Sequence, residues 1–353
     1  VRTIGYSGMT FSHKAIHMQK ILVTGGAGFI GSALVRRLVP THQVLNFDKL
    51  TYAAQPSALA AVQQHPNYQC VQGDICDEAL LRQTLSIFQP DLVFHLAAET
   101  HVDRSIEGPS AFIHSNVLGT FHLLEAVRSY WQALPDEKAG AFRFFHVSTD
   151  EVYGDLADES LPATELHRYA PSSPYSAAKA GSDHLVHAWQ RTYGLPTLMS
   201  HCSNNYGPWQ YPEKLIPLLI SKALAGEPLP IYGDGLQQRD WLYVEDHVDA
   251  LLYISKHAPS GERYNIGGTK SLTNLALVQQ LCQELDHAIP TKPQGICSFS
   301  QLIQHVTDRA GHDRRYALDC SKLTNLGWQA HTSWQQGLQQ TVQFYLAQAK
   351  VTA

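Results

Sequence analysis

The chain has 353 residues, 44% of them hydrophobic, enough to bury a substantial core in one large domain or two unequal ones. Its formal charge of −5 leaves no overall basic field of the kind that non-specific nucleic-acid binding draws on, so nucleic acid is not an expected partner. No apolar run reaches the roughly 18 residues of a spanning helix, and the reading is a globular protein of the cytoplasm with no membrane partner.

Residues 1–17 (VRTIGYSGMTFSHKAIH) hold neither an apolar core segment nor a small-residue cleavage site, which argues against a secretory signal. Because the first β-rich run begins just after Met18, they are expected to be a poorly ordered extension. From Gln19 short β-rich runs alternate with helical stretches: ILVTG (21–25), QVLNFD (43–48), YQCVQGD (68–74), DLVFHLAA (91–98) and FRFFHVST (142–149). Between them, 115–131 places Val117, Phe121, Leu124 and Val127 at helical spacing, and 176–194 is a second helix ended by Gly194. Strands joined by crossover helices predict an α/β fold, a doubly wound parallel sheet of Rossmann-like type, over 18–200.

After about residue 200 the texture becomes Pro- and Gly-punctuated, with helical stretches such as KLIPLLISKALAG (214–226) in between. Residues 201–353 are read as a smaller lobe closing over the carboxyl edge of the sheet, with part of 235–260 packing back on the first domain. The cysteines (Cys70, Cys76, Cys202, Cys282, Cys297, Cys320) form no CxxC pair and read as free thiols of a reducing compartment. His184 and His187 lie three apart without a third ligand, and no metal is expected.

In TGGAGFIGS, opening a helix directly after a strand, Gly26, Gly28 and Gly31 satisfy GxGxxG while Gly25, Gly28 and Gly31 satisfy GxxGxxG. Such glycines permit a tight turn, close approach of a pyrophosphate and tight helix packing, with the helix N-terminus facing the anion. A lone glycine motif is weak; here strand, helix and a following acid agree. That acid, Asp48, ends the second strand, where a carboxylate accepts from adenosine ribose hydroxyls and repels a 2′-phosphate. NAD is favoured over NADP, although the adjacent Lys49 pulls the other way. Asp74 ends the third run and fits both an acceptor for the adenine amino group and a turn-forming Asp. The expected cofactor contacts are Gly25, Gly28, Phe29, Ile30, Gly31, Asp48, Lys49, Asp74, Ile75, Leu96, Ala98, Tyr175, Lys179 and Asn205.

Tyr175 and Lys179, four apart at the start of a helix, project from nearly one face. An ammonium there favours phenolate, which lowers the Tyr pKa toward the working range. Upstream, Thr149, Asp150 and Glu151 follow one another at the end of the fifth run. Two adjacent carboxylates point to acid-base chemistry, provided that the chain turns so that both reach one pocket, a turn that Gly154 makes plausible. A solvated acidic loop is the alternative for the pair taken alone.

With TGGAGFIGS (24–32), DKLTYA (48–53), HLAAETHVDRSI (95–106), STDEVYGD (148–155), PYSAAKA (174–180), NNYGPWQYPEKLIPL (204–218), GDGLQQRDWLYVEDH (233–247) and DRAGHDRRYA (308–317) in order, the chain resembles the dTDP-glucose 4,6-dehydratases of the extended short-chain dehydrogenase family. The resemblance covers residues 18 to about 345. It implies that Tyr175 takes the C4 hydroxyl proton as NAD takes the C4 hydride, and that Thr149 holds that hydroxyl. Glu151 then looks like the base at C5, Asp150 like the acid for the departing C6 hydroxyl, and the hydride returns to C6. One carboxyl must be neutral and one ionised near pH 7. The resemblance also implies substrate contacts from Thr100, Thr149, Asn204, Lys214, Leu215, Pro230, Tyr232, Arg239, Asn274, Arg309 and His312 to a nucleotide-diphosphate hexose, Asn205 toward the cofactor, and a homodimer through 115–131 and 176–194. Lys214, Arg239 and Arg309 suit a diphosphate, which needs localised positive charge. Departures from the family pattern are small: Thr100 for a frequent Ser, Trp209 for a more usual Tyr and Ala310 for a common Pro. Two other readings stay open: a nucleotide-sugar 4-epimerase, which shares the cofactor loop, Thr149, Tyr175 and Lys179 but has no need for paired carboxyls, and a catalytically silent NAD-binding scaffold.

Overall fold

In the run KILVT the residues from Ile21 to Thr24 are all buried, so both faces of the strand are covered, as in the centre of a parallel sheet. The computed structural model describes residues 18–352, and the expected extension 1–17 lies outside them. The strands in chain order are β1 (Lys20–Thr24), β2 (Gln43–Asp48), β3 (Tyr68–Gln72), β4 (Leu92–His95), β5 (Arg143–Thr149), β6 (Thr197–Cys202), β7 (Asn204–Tyr206), β8 (Leu229–Tyr232), β9 (Gln238–Tyr243), β10 (Arg263–Ile266), β11 (Lys270–Thr273) and β12 (Ile303–Val306). Seven of them form one parallel sheet in the order β10-β6-β5-β4-β1-β2-β3. Leu22 of β1 pairs Leu45 on one side and Val93 on the other. The strand order therefore reverses at β1, and the crevice beyond the carboxyl ends of β1 and β4 is the switch point at which open α/β sheets bind ligands.

Helices cover both faces. Helix Phe29–Leu38 and helix Val244–His257 share one core through Val35, Leu38, Val248, Leu251 and Ile254. Helices Glu78–Phe88, Thr120–Gln132 and Pro174–Tyr193 cover the other through Leu81, Leu85, Leu124, Val127 and Val186. The helix expected over 115–131 begins as a widened π-type turn, Ile113–Gly119, and continues as the α-helix Thr120–Gln132. There the Asn116 side chain bonds both backbone groups of Glu99, accepting at 2.8 Å and donating at 3.0 Å. The helix expected over 176–194 starts earlier, at Pro174. The Ser173 and Ser176 side chains each accept from the other's backbone N–H at 3.1 Å, and Pro174 sits where its missing N–H is not needed.

At Ser203 the chain leaves the large sheet and enters a smaller one ordered β11-β9-β7, beside the β12-β8 pair. These elements and the helices Leu215–Ala225, Asn274–Ala288 and Trp334–Thr352 enclose a second core containing Leu219, Ile220, Leu277, Leu281, Phe299 and Leu338. The chain crosses back past residue 200: Val248, Ile266, Leu323 and Trp328 all belong to the first core. The cleft thus lies between a sheet edge built early in the sequence and loops supplied late.

Candidate active site

The glycine loop is shaped by contacts that no side chain would survive. A Cβ on Gly31 would stand 2.1 Å from the Gly25 carbonyl oxygen, and one on Gly25, already at φ +75, would stand 2.7 Å from the Ala97 nitrogen. Gly28 differs, since a Cβ there would meet only the Gly25 carbonyl, at 3.3 Å, with the cleft otherwise open before it. Gly28 also begins helix Phe29–Leu38 without a side-chain cap, which leaves first-turn N–H groups for an anion. Asp48 ends β2 beside this loop. Its Oδ2 accepts from the Ala27 N–H and its Oδ1 from the Leu50 N–H, both at 2.8 Å. Burial raises the Asp48 carboxyl, and those two backbone donors oppose the rise. Lys49, whose charge argued against a bare carboxylate site, is paired with Asp74 at 2.7 Å. The open cradle, the uncapped helix and the acid at the end of β2 fit a dinucleotide.

Every expected cofactor residue lines one cleft, from Gly25, Gly28, Phe29, Ile30 and Gly31 through Asp48, Lys49, Asp74, Ile75, Leu96 and Ala98 to Tyr175, Lys179 and Asn205. Thr100, Thr149, Asp150, Asn204 and Lys214 line it too. Thr51, Glu99, Ser115, Cys202, Gln210 and Tyr211 are among the further lining residues to which no site role was assigned. Thr51, Glu99, Gln210 and Tyr211 stood inside quoted motifs with no role attached, whereas Cys202, at the end of β6, arrives there through the strand order. Two contacts tie the segment after β2 to the segment after β7: Gln55 Nε2 donates to the Trp209 carbonyl at 2.7 Å, and the Tyr52 hydroxyl donates to Glu213 Oε1 at 3.2 Å.

β5 ends at Thr149, and Asp150–Tyr153 immediately form one 3-10 turn capped by the Thr149 hydroxyl, which accepts from the Glu151 N–H at 3.3 Å. Gly154, at φ +77, completes the turn, where a Cβ would stand 2.0 Å from the Ala170 carbonyl. The turn breaks the strand alternation, yet of the two carboxyls Asp150 lines the cofactor cleft and Glu151 is not among its lining residues. Asp150 is 3% exposed, and its Oδ2 is buried with no hydrogen-bond partner. Burial, then the negative charge of Glu151, pushes the Asp150 carboxyl well above its ordinary value. Burial raises Glu151 as well, yet the positive charges of Arg239, Arg309 and Lys214 hold it back. The environments therefore differ as the chemistry requires, with Asp150 the stronger proton holder.

Tyr175 departs from expectation. Its hydroxyl is pushed well above the ordinary phenol value by burial and then by Glu151, with hydrogen bonding to Thr149 opposing. The Lys179 ammonium, expected to lower it, donates instead to the Val147 carbonyl at 2.9 Å. Helical spacing put the two on one face, but the strand backbone holds the amine.

The remaining residues lie beyond the cofactor cleft. Arg239, 5% exposed, lies over the Tyr316 ring at 4.1 Å and donates to the backbone carbonyls of Gln238 and Asp313, each at 2.8 Å. Arg309 pairs with Asp103 at 3.2 Å, and its Nε is buried without a partner. His312 meets Asp308 at 2.6 Å, and its ring faces that of Tyr232 at 6.1 Å. Pro230 lies in β8, Leu215 opens helix Leu215–Ala225, and the Asn274 N–H donates to the Gln237 carbonyl at 3.0 Å. Asn205 is held on the protein side, its Oδ1 2.9 Å from His247 Nδ1.

Residues 22–341 match a family model described as GDP-mannose 4,6 dehydratase. The dTDP-glucose 4,6-dehydratase of Neisseria meningitidis is 54% identical over 332 residues, 93% of this chain and 94% of that protein. Among solved structures, the Streptomyces venezuelae dTDP-glucose 4,6-dehydratase with NAD bound superimposes with a TM-score of 0.84 at 42% identity, covering 94% of this chain and 98% of that one. The UDP-glucose 4-epimerase of Thermotoga maritima does so with a TM-score of 0.81 at 30% identity, covering 94% and 99%.

Asp48→Ala leaves the Ala27 and Leu50 N–H groups without a charged acceptor, a bond worth roughly 1.5–3 kcal/mol each. Titration calorimetry of the cofactor-free variant should show weaker NAD binding, together with a lower melting temperature. Undiminished affinity would mean that Asp48 serves only the loop.

Proposed function

The chain belongs to the dTDP-glucose 4,6-dehydratase family, and on that premise we propose how its own residues divide the work of converting dTDP-glucose to dTDP-4-keto-6-deoxyglucose. NAD, when bound, supplies a hydride acceptor for C4 that returns the hydride to C6 and whose oxidised ring is itself a positive charge. The residues proposed to hold it are the Gly25–Gly31 loop, Asp48, Asp74 and the cleft walls of Ile75, Leu96, Ala98 and Asn205.

Thr149 holds the C4 hydroxyl and Tyr175 takes its proton. Burial opposes the phenolate, so the step depends on positive charge nearby, for which Lys179, its amine on the Val147 carbonyl, is the proposed source. The ketone at C4 acidifies the C5 proton. Glu151 removes that proton, and Asp150 gives one to the C6 hydroxyl, which leaves as water. The observation that carries this assignment is the pair of unlike environments at the end of β5: Asp150 with an unpartnered buried oxygen beside an anion, and Glu151 facing three cations. An epimerase on this fold would have no use for that pair. Lys214, Arg239 and Arg309 are proposed for the diphosphate, with Thr100, Asn204, Leu215, Pro230, Tyr232, Asn274 and His312 completing a nucleotide-sugar lobe over 201–353.

The cytoplasm is the proposed compartment, on the strength of cysteines none of which is disulfide-bonded among the described residues. A homodimer through 115–131 and 176–194 is proposed as well. Leu118, Phe121 and Tyr193 are 45%, 36% and 43% exposed on these segments, and such apolar surface is suited to a second copy. Sedimentation should give a dimer for the wild type and a monomer for Leu118→Glu; a monomeric wild type would contradict it.

The two carboxyl variants should stall differently. With Asp150→Asn, oxidation at C4 should survive while loss of water slows by about 10²–10⁴-fold, so a 4-ketohexose accumulates and C5 still exchanges in deuterated water. With Glu151→Gln, C5 exchange should collapse. Since burial raises Glu151 above its ordinary 4.5, exchange in the wild type should fade on acidification above that value, as the base becomes protonated. Full dehydration by both variants would overturn the assignment.

A further inference from the structure

Tyr175, Lys179 and Asp183 stand at i, i+4 and i+8 on helix Pro174–Tyr193, one line down the face turned to the sheet. Lys179 and Asp183 are 5% and 2% exposed. Their partners on β5 are consecutive. His146 Nε2 lies 3.0 Å from Asp183 Oδ1, the Lys179 amine donates to the Val147 carbonyl at 2.9 Å, and the Ser148 hydroxyl donates to Asp183 Oδ2 at 2.9 Å. Thr149, Asp150 and Glu151 follow directly. Asp183 Oδ2 also accepts from the Tyr169 hydroxyl at 3.0 Å and lies 3.1 Å from His201 Nε2. One carboxylate thus ties the helix that carries Tyr175 to the strand that carries Thr149.

The same carboxylate, whose short contacts are with His146 and His201, also acts on the Lys179 charge one helical turn away. A buried ammonium sheds its proton unless an anion compensates it. The groups facing Lys179 are Asp183 on its own helix, His146 on β5, His95 on β4 and Cys202 on β6. Burial and the Lys179 charge take His146 down to about 4, burial and His146 take His95 well below its usual value, and burial pushes the Cys202 thiol up to about 12, so these three are neutral near pH 7. Burial alone would raise the Asp183 carboxyl, but its bonds from His146 and His201 carry it below the carboxylate range. Burial lowers Lys179, and Asp183 is the first of the groups that oppose the loss.

We propose that Asp183 is a positioning residue for the C4 oxidation: it sets the register of Tyr175 and Lys179 against Thr149 and is the counter-charge that keeps Lys179 protonated in a dry site. The role rests on reading Tyr175 and Lys179 as the oxidation pair. It gives a purpose to a buried charge network that the acid-base steps themselves do not use.

The test compares pH profiles of kcat and kcat/KM on dTDP-glucose for the wild type, Asp183→Asn and Tyr169→Phe. Without the anion, Lys179 loses its proton more easily, so the alkaline limb of the Asp183→Asn profile should move to lower pH by about one unit, a tenfold change in proton affinity. Its kcat should fall while KM stays near the wild-type value. Tyr169→Phe removes a hydrogen bond from Asp183 but keeps the charge, so its melting temperature should drop while its profile overlies the wild type. If Asp183→Asn does not fold, the double variant Lys179→Met/Asp183→Asn should, because removing both charges leaves neither uncompensated; failure of the double variant as well would overturn the counter-charge role. A wild type that dehydrates normally beside an Asp183→Asn profile with an unmoved alkaline limb would overturn the role of Asp183 alone. A wild type that does not dehydrate would remove the reading beneath it.

Discussion

A carboxyl group taken out of water holds its proton unless a positive charge or a hydrogen-bond donor stabilises the anion. At the end of β5 this rule acts on two neighbouring carboxyls and raises both, Asp150 further than Glu151. Asp150 is buried against Glu151 with an oxygen left unpartnered, while Glu151, one residue later in a 3-10 turn, faces Arg239, Arg309 and Lys214. The parallel sheet makes this possible, because its carboxyl edge delivers Thr149, Asp150 and the glycine loop to one crevice. The cations come from the later lobe, so neither core alone assembles the site.

Much of this was legible in the sequence because it is written in short-range patterns. Short β-rich runs at β1, β2 and β5, alternating with helical stretches, read as parallel strands, and the glycine loop reads from spacing because its constraints are local, as the Gly25–Gly31 approach shows. The carboxyl pair was legible because a glycine follows it. What did not read were features made by pairing distant segments. β10 and Trp328 rejoin the first core from far along the chain, and Pro- and Gly-rich stretches without periodicity conceal the pairing of β11 with β9 and of β12 with β8. Likewise Asp183, an unremarked acid inside a helical pattern, becomes visible only when β5 and β6 bring His146, Ser148 and His201 to it. The sense of the Tyr175 shift was misread for the same reason: helical spacing says which groups share a face, not that a strand carbonyl captures the amine or that burial dominates.

The comparison with the Thermotoga maritima epimerase shows how little the backbone decides. Two chains of closely similar shape are thus compatible with different chemistries, and on the assignment proposed here it is the carboxyl pair beside the acidified C5 that a dehydration needs and an inversion at C4 does not. On that proposal the function rests on a few side chains at one strand end and on the charges around them.

The central claim is that oxidation, elimination and reduction occur on one bound sugar, with the hydride removed at C4 delivered to C6. Incubation with dTDP-glucose carrying deuterium at C4, followed by nuclear magnetic resonance of the product, tests it directly. The account predicts a 4-keto-6-deoxy product whose C6 methyl group carries the label. Label retained at C4 in an epimerised hexose, or a 4-keto-6-deoxy product free of deuterium at C6, would contradict it.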